Sequence, residues 1–344
     1  MRAAVPDRIL IVGVGSIGQR HVQLARAMLP SAEIRVLRHQ AGKVSPEGVN
    51  GVCASIEDAI AFAPQIAVLS NPAPFHVAIA QALAEKGVHL LVEKPLAASL
   101  DGVARLLDTC QRHGVVLLNG YNLRYLPSLR RFRDLLHEGA VGGVLSVRCE
   151  VGQYLPAWRP HADYRHSVSA NKDLGGGALL ELSHELDYMR WIFGEVEWVQ
   201  AVLCRQSSLE LDVEDTAHLV LGFAPSSNGH QLVGTVQLDF VRQDTTRICV
   251  AIGETGSLRW NALTGEVDLF AAEALEWRRE FCQPVARDDS YRAEWTDLIA
   301  CVTEGRTPFV TGEDGLSVLH IIEATRASSA SGRRTAVSPA SVHT

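Results

Sequence analysis

Four apolar, mostly β-branched residues, Ile9-Leu-Ile-Val12, run directly into Gly13-Val-Gly15-Ser-Ile-Gly18. Helical spacing of apolar residues begins at once behind these glycines, over Gln19–Leu29. A strand that turns through glycines straight into a helix is how a doubly wound parallel sheet opens. The glycine spacing alone is a weak signal, and the strand before it and the helix after it give it meaning. Gly13 permits the tight turn, Gly15 lets the backbone approach an anion, and Gly18 lets the helix pack on the strand. The first helical residues, Ser16 and Ile17, bring unpaired N–H groups and positive potential to a pyrophosphate.

The first third of the chain keeps this alternation. Glu33–Leu37, Ile66–Leu69, Val88–Val92 and Val115–Leu118 read as strands, with helices at Ile56–Ala63, Phe75–Lys86 and Leu100–His113 between them. This predicts a parallel sheet covered on both faces, a Rossmann-type domain over residues 1–122. From Arg124 the pattern changes. A helix over Pro127–Glu138 leads to a strand at Val144–Val151, a polar and aromatic loop to Asp173, and a helix over Ala178–Phe193. Strands then follow strands: Val196–Cys204, Thr216–Phe223, Gln231–Phe240, Arg247–Ile252 and Glu266–Phe270, with a hairpin loop at Ala224-Pro-Ser-Ser-Asn-Gly229. The expectation is an α+β domain over 123–330 with an open, mainly antiparallel sheet, closed by helices near Tyr291–Glu304 and Gly315–Ser328. Residues 331–344 read as a flexible tail.

Composition narrows the functions. Lys plus Arg is 32 against 39 Asp plus Glu, a net charge of −7 without a basic block, so nucleic acid is not an expected partner. The seven cysteines are scattered and none has zinc-knuckle or redox spacing. They read as reduced thiols of a cytoplasmic protein, with no metal site. The N-terminal apolar run is too short for a signal-peptide core or a membrane span.

Three clusters carry chemistry. The second strand ends in Leu37-Arg38-His39, where an NAD site would place an acid on the adenosine ribose. Arg38, with His39 and Lys43 nearby, suits a 2′-phosphate instead and favours NADP, with NAD possible if Arg38 only stacks on adenine. At later strand ends stand Ser70-Asn71-Pro72, with His76 following, and Glu93-Lys94-Pro95. Both fall on the carboxyl edge, where open α/β sheets bind ligands. The third cluster is Gly175-Gly-Gly177-Ala-Leu-Leu-Glu181-Leu-Ser-His184-Glu-Leu-Asp187-Tyr188. On one continuous helix Glu181, His184 and Tyr188 share a face, with Asp187 a turn beyond His184. An imidazole beside a carboxylate suits proton transfer, though the same residues serve equally as a polar edge to a core.

Together these clusters resemble the glucose–fructose oxidoreductase / inositol dehydrogenase (Gfo/Idh/MocA) family over nearly the whole chain. The resemblance implies an NAD(P)-dependent dehydrogenase or reductase acting on the CH–OH group of a sugar, polyol or sugar derivative. It gives Lys94 the role of orienting the reacting hydroxyl and His184 that of acid/base. It places Gly13, Gly15, Ser16, Ile17, Gly18, Arg38, Asn71, Pro72, His76, Glu93 and Lys94 at the cofactor. One departure stands out: the family's Asp precedes its His by four residues, whereas Glu181 precedes His184 by three. The loop Trp158-Arg-Pro-His-Ala-Asp163-Tyr164-Arg165, with Lys172 after it, is similar to the family's substrate-side loop. Arg124, Tyr164, Lys172 and Asp187 are accordingly expected at the substrate. Glycoside cleavage with transient use of NAD, dihydrodiol- or bilin-type reduction, and a non-catalytic cofactor-binding regulator remain open alternatives. A homodimer or homotetramer is expected, joined through a sheet face carrying Leu219, Leu221, Val233, Val236 or Leu238.

Overall fold

The computed structural model describes residues 4–38, 47–225, 229–284 and 286–338. His39, Lys43, residues 226–228 of the hairpin loop and residues 339–344 of the expected tail lie outside them. The chain divides into two units, one of residues 1–122 and 291–319, the other of 123–290 and 320–344. A single cut after residue 122 therefore misses a return, because residues 291–319 belong to the first unit.

The first unit holds β1 (Arg8–Val12), α1 (Ser16–Met28), β2 (Glu33–Leu37), β3 (Gly51–Cys53), α2 (Ile56–Ala61), β4 (Ile66–Leu69), α3 (His76–Ala84), β5 (His89–Glu93), α4 (Val103–His113) and β6 (Leu117–Gly120). The strands pair in parallel in the order β3-β2-β1-β4-β5-β6. That is the dinucleotide-binding order, with its reversal between β1 and β4. Ile9, Ile11, Ile34, Val68 and Leu91 are fully buried, as strands covered on both faces require. Each such side chain contributes about 1.5–3 kcal/mol by leaving water. Trp295 and Leu298 join this core from a late helix, which is why the returning segment belongs here. The short β3 escaped sequence reading.

The second unit holds α5 (Pro127–His137), β7 (Val144–Gly152), α6 (Leu155–Trp158), α7 (Ala178–Glu181), α8 (His184–Phe193), β8 (Val196–Cys204), β9 (Thr216–Phe223), β10 (Val233–Asp239), β11 (Thr246–Gly253), β12 (Gly256–Asn261), β13 (Glu266–Ala271) and β14 (Glu276–Cys282). After it come α9 (Asp289–Glu304), α10 (Gly312–Ser331) and β15 (Thr335–Ala336). The sheet order is β14-β13-β12-β11-β7-β10-β9-β8-β15, antiparallel at every pairing except β7 with β10. β15 adds an edge strand within the expected tail.

One face of this sheet is covered by α5, α7 and α8. Trp260 of β12 is fully buried there, donating from Nε1 to Ser128 Oγ of α5 at 3.0 Å, with Tyr188 edge-on at 5.3 Å. Leu219, Leu221, Val236 and Leu238 point to the same covered side and are buried. That corrects their expected place on an outward apolar face, since period-two alternation puts their neighbours outside instead. The outward residues are largely polar, Arg148, His218, Thr235 and Gln237 among them, with Val202 and Val233 as exposed apolar exceptions.

Candidate active site

The glycine turn is built from backbone contacts that admit no side chain. Gly13 has φ +85°, and a Cβ there would stand 2.9 Å from the Asn71 nitrogen. A Cβ on Gly18 would stand 2.2 Å from the Gly13 carbonyl oxygen. Ser70 fastens the turn to the end of β4, its hydroxyl donating to the carbonyls of Val12 at 2.8 Å and Gly13 at 3.1 Å. Gly15 differs, for a Cβ there would meet nothing within 4 Å. It is the N-cap of α1, and no side chain caps that helix start. The N–H groups from Ser16 and Ile17 onward thus open on a cradle that only a glycine leaves clear, which fits a pyrophosphate.

Along the same carboxyl edge, β4 leads through Ser70 into Asn71-Pro72, and β5 ends at Glu93 and leads into Lys94. Asn71, Pro72 and Lys94 are half-buried, and the Lys94–Pro95 peptide is cis. His76 and Glu93, expected at the cofactor, are buried and bridge elements of the first unit. The His76 ring is 1% exposed, with Nε2 2.7 Å from the Asn71 carbonyl and Nδ1 3.2 Å from that of Pro95. It joins the two turns, and burial pushes its pKa down. Glu93 is buried with both oxygens engaged. Oε1 lies 2.8 Å from His21 Nε2 on α1, and Oε2 accepts the Lys94 N–H at 3.2 Å. Arg38 is half-buried at the end of β2, its N–H donating to the Cys53 carbonyl at 3.3 Å.

In the second unit the triple glycine anchors a loop. A Cβ on Gly176 would stand 2.4 Å from the Val168 carbonyl, and the Gly177 N–H donates to the Ser169 carbonyl at 3.0 Å. Glu214, absent from the sequence reading, caps α7 by accepting the Leu179 N–H at 3.0 Å, and burial raises its pKa. Its signal was a carboxylate just ahead of the strand at Thr216. The helix expected over Ala178–Phe193 is broken at Leu182-Ser183, so Glu181 ends α7 and His184 begins α8. A serine competes for backbone hydrogen bonds and favours such a break. Glu181 and His184 are half-buried, whereas Tyr188, expected on their face, is fully buried with its hydroxyl 2.8 Å from Cys149 Sγ.

Arg124 and Asp187, expected at the substrate, form a bidentate pair at 2.9 and 2.6 Å, with 2% and 1% of each residue exposed. The pair ties α8 to the segment that precedes α5. Tyr164 and Lys172 belong to the anchored loop. The Tyr164 hydroxyl accepts the Glu210 N–H at 3.1 Å, and the Lys172 N–H donates to Asp212 at 2.7 Å. Asp163 and Arg165 form an exposed pair on this loop, whose hydrogen bonds bring the Asp163 carboxyl down to about 2.

The glycine contacts separate folding from binding. Gly15→Ala should keep wild-type stability in urea while weakening dinucleotide binding at least tenfold by calorimetry. Gly18→Ala should lose stability, by about 1–3 kcal/mol of overpacking. A Gly15→Ala protein that binds normally would refute the cradle.

The family model described as "Oxidoreductase family, NAD-binding Rossmann fold" matches residues 8–121, and "Oxidoreductase family, C-terminal alpha/beta domain" matches 133–337. D-xylose 1-dehydrogenase (NADP(+)) 2 of Haloferax volcanii is 27% identical over 265 residues, 76% of this chain and 77% of that one. Inositol 2-dehydrogenase 3 of Saccharopolyspora erythraea is 24% identical over 92% of this chain and 91% of its own. In fold, a structure of levoglucosan dehydrogenase in complex with NADH superposes with TM-score 0.84 at 22% identity, covering 97% of this chain and 99% of that one. With both parts of the chain matched, this protein belongs to the Gfo/Idh/MocA family of NAD-binding oxidoreductases.

Proposed function

We propose that this chain is an NADP-preferring dehydrogenase or reductase acting on the hydroxyl-bearing carbon of a sugar, polyol or sugar derivative. The observation that carries the reading is the carboxyl edge of the parallel sheet, where the open cradle at Gly15 and the braced turn of Lys94 share one side. The relatives named for xylose and inositol support the substrate class. A bound nicotinamide dinucleotide would supply the hydride donor or acceptor. Gly13, Gly15, Ser16, Ile17 and Gly18 would hold its pyrophosphate, with Arg38 at the adenosine ribose and Asn71 and Pro72 along the edge. The Lys94 ammonium stabilises negative charge developing on the substrate oxygen. His184 takes or returns the proton, with Glu181 as a second acid/base group. Tyr164 and Lys172 offer hydrogen bonds to a polyhydroxylated ligand. Arg124 and Asp187 act by fixing the helix that carries His184.

Lys94→Ala should reduce turnover at least a hundredfold while leaving cofactor affinity within a few-fold, measured by steady-state kinetics and calorimetry. Wild-type turnover by that variant would remove Lys94 from the mechanism. Arg38 in place of the acid gives NADP(H) an advantage over NAD(H) of about 10- to 150-fold, the worth of one charge-assisted contact of about 1.5–3 kcal/mol. Arg38→Ala should abolish the difference, and equal binding of both cofactors by the wild type would contradict the assignment.

Self-association is also proposed, through the outward sheet face with its exposed Val202 and Val233. Light scattering should give at least twice the 37.4 kDa chain mass, and a monodisperse species at that mass would contradict it.

A further inference from the structure

Helix α9 lays Tyr291, Trp295, Leu298 and Val302 against the core of the first unit. Glu294 lies on this apolar stripe and is fully buried. Among the described residues no donor reaches either of its carboxyl oxygens. His21, Glu93 and Glu294 each offer an atom within 4.8 Å of the others. The charged and titratable groups around Glu294 are Glu93 from the end of β5, His21 and Arg20 from α1, and Tyr291 and Asp297 on its own helix. Arg20 lies over the Tyr291 ring at 4.8 Å, and Asp297 accepts the Phe309 N–H at 2.8 Å.

Three such ligand atoms suggest a metal, but the histidine argues against one. The Trp295 indole N–H can only donate, and it donates to His21 Nδ1 at 3.0 Å. The ring proton therefore sits on Nε2, facing Glu93 at 2.8 Å, and leaves no lone pair there for an ion. A proton is what fits. A carboxylate buried without donors and facing a second carboxylate is far costlier than the neutral acid. Burial first, then the charges of Glu93 and Asp297, push the Glu294 carboxyl well above the usual range.

We propose that Glu294 is a positioning residue, a neutral carboxylic acid that donates a hydrogen bond to Glu93 and so keeps Glu93 set between His21 and the Lys94 N–H. Its effect on turnover rests on the role proposed for Lys94. Its protonation does not.

The test compares Glu294→Gln and Glu294→Leu with the wild type by urea unfolding from pH 5 to pH 9 and by steady-state kinetics. In the folded protein Glu294 holds a proton that the unfolded chain releases near pH 4.3, so its contribution to stability falls as pH rises through the window. Glu294→Gln lacks that loss, so its folding equilibrium constant should gain on the wild type about tenfold per pH unit until the folded group itself titrates. A ratio independent of pH would mean that Glu294 is ionised in the fold, and would overturn the proposal. Gln also donates to Glu93, so kcat should stay within about threefold at neutral pH, whereas Leu cannot donate and should lower kcat about tenfold or more at unchanged cofactor affinity. Unchanged kcat in the Leu variant would overturn the positioning role, and if that variant fails to fold, the pH slope of the Gln variant decides alone. Should Lys94→Ala keep wild-type turnover, the Lys94 reading fails while the pH slope still reports on Glu294.

Discussion

A single carboxylate, that of Glu93, ties two parts of the first unit to each other. One oxygen meets His21 on α1, the helix whose N-terminus forms the cradle, and the other accepts the backbone N–H of Lys94. α1 and the turn after β5 are thereby fixed to each other through one buried group. His76 adds a second tie between the turns after β4 and β5, again from within the protein. Gly120 leaves room for this arrangement, since a Cβ there would stand 3.1 Å from Glu93 Oε2. What reaches outward from this edge is set by groups that do not.

The second unit uses the same economy on a different scaffold. The Arg124–Asp187 pair is buried, so removing one partner leaves an uncompensated charge and costs about 3–5 kcal/mol. The Asp163–Arg165 pair on the nearby loop is exposed and screened, and contributes little to folding. Positional control of His184 therefore rests on the buried pair, on the glycine contacts with residues 168–169 and on the Glu214 cap.

Most of the first unit was legible because its signal is local: β1 and β4 are apolar runs and the helices between strands show their own period, while the three-residue β3 was too short to read. In the second unit, β12 and β14 were missed for physical reasons. β14 is a charged edge strand, Glu-Trp-Arg-Arg-Glu-Phe-Cys, with little buried apolar surface to betray it. The site residues divide in the same way. Glycines announce themselves because backbone geometry demands them, whereas the internal partners of His76, Glu93, Arg124 and Asp187 were not legible. Sequence gives a residue's type and not its partner, and these partners lie as far as 72 positions away. His21 and Glu294, 273 positions apart by their numbering, left one clue, a carboxylate on the apolar stripe of α9.

The chemistry proposed for this protein is net hydride transfer on a polyhydroxylated substrate. The most direct measurement follows nicotinamide absorbance while sugars, inositols and nucleotide-sugars are offered with NADP(H) and NAD(H), product being quantified in the same samples. One nicotinamide should be reduced or oxidised for each substrate converted, with faster conversion on NADP(H). Substrate consumed with no net change in nicotinamide absorbance would contradict it.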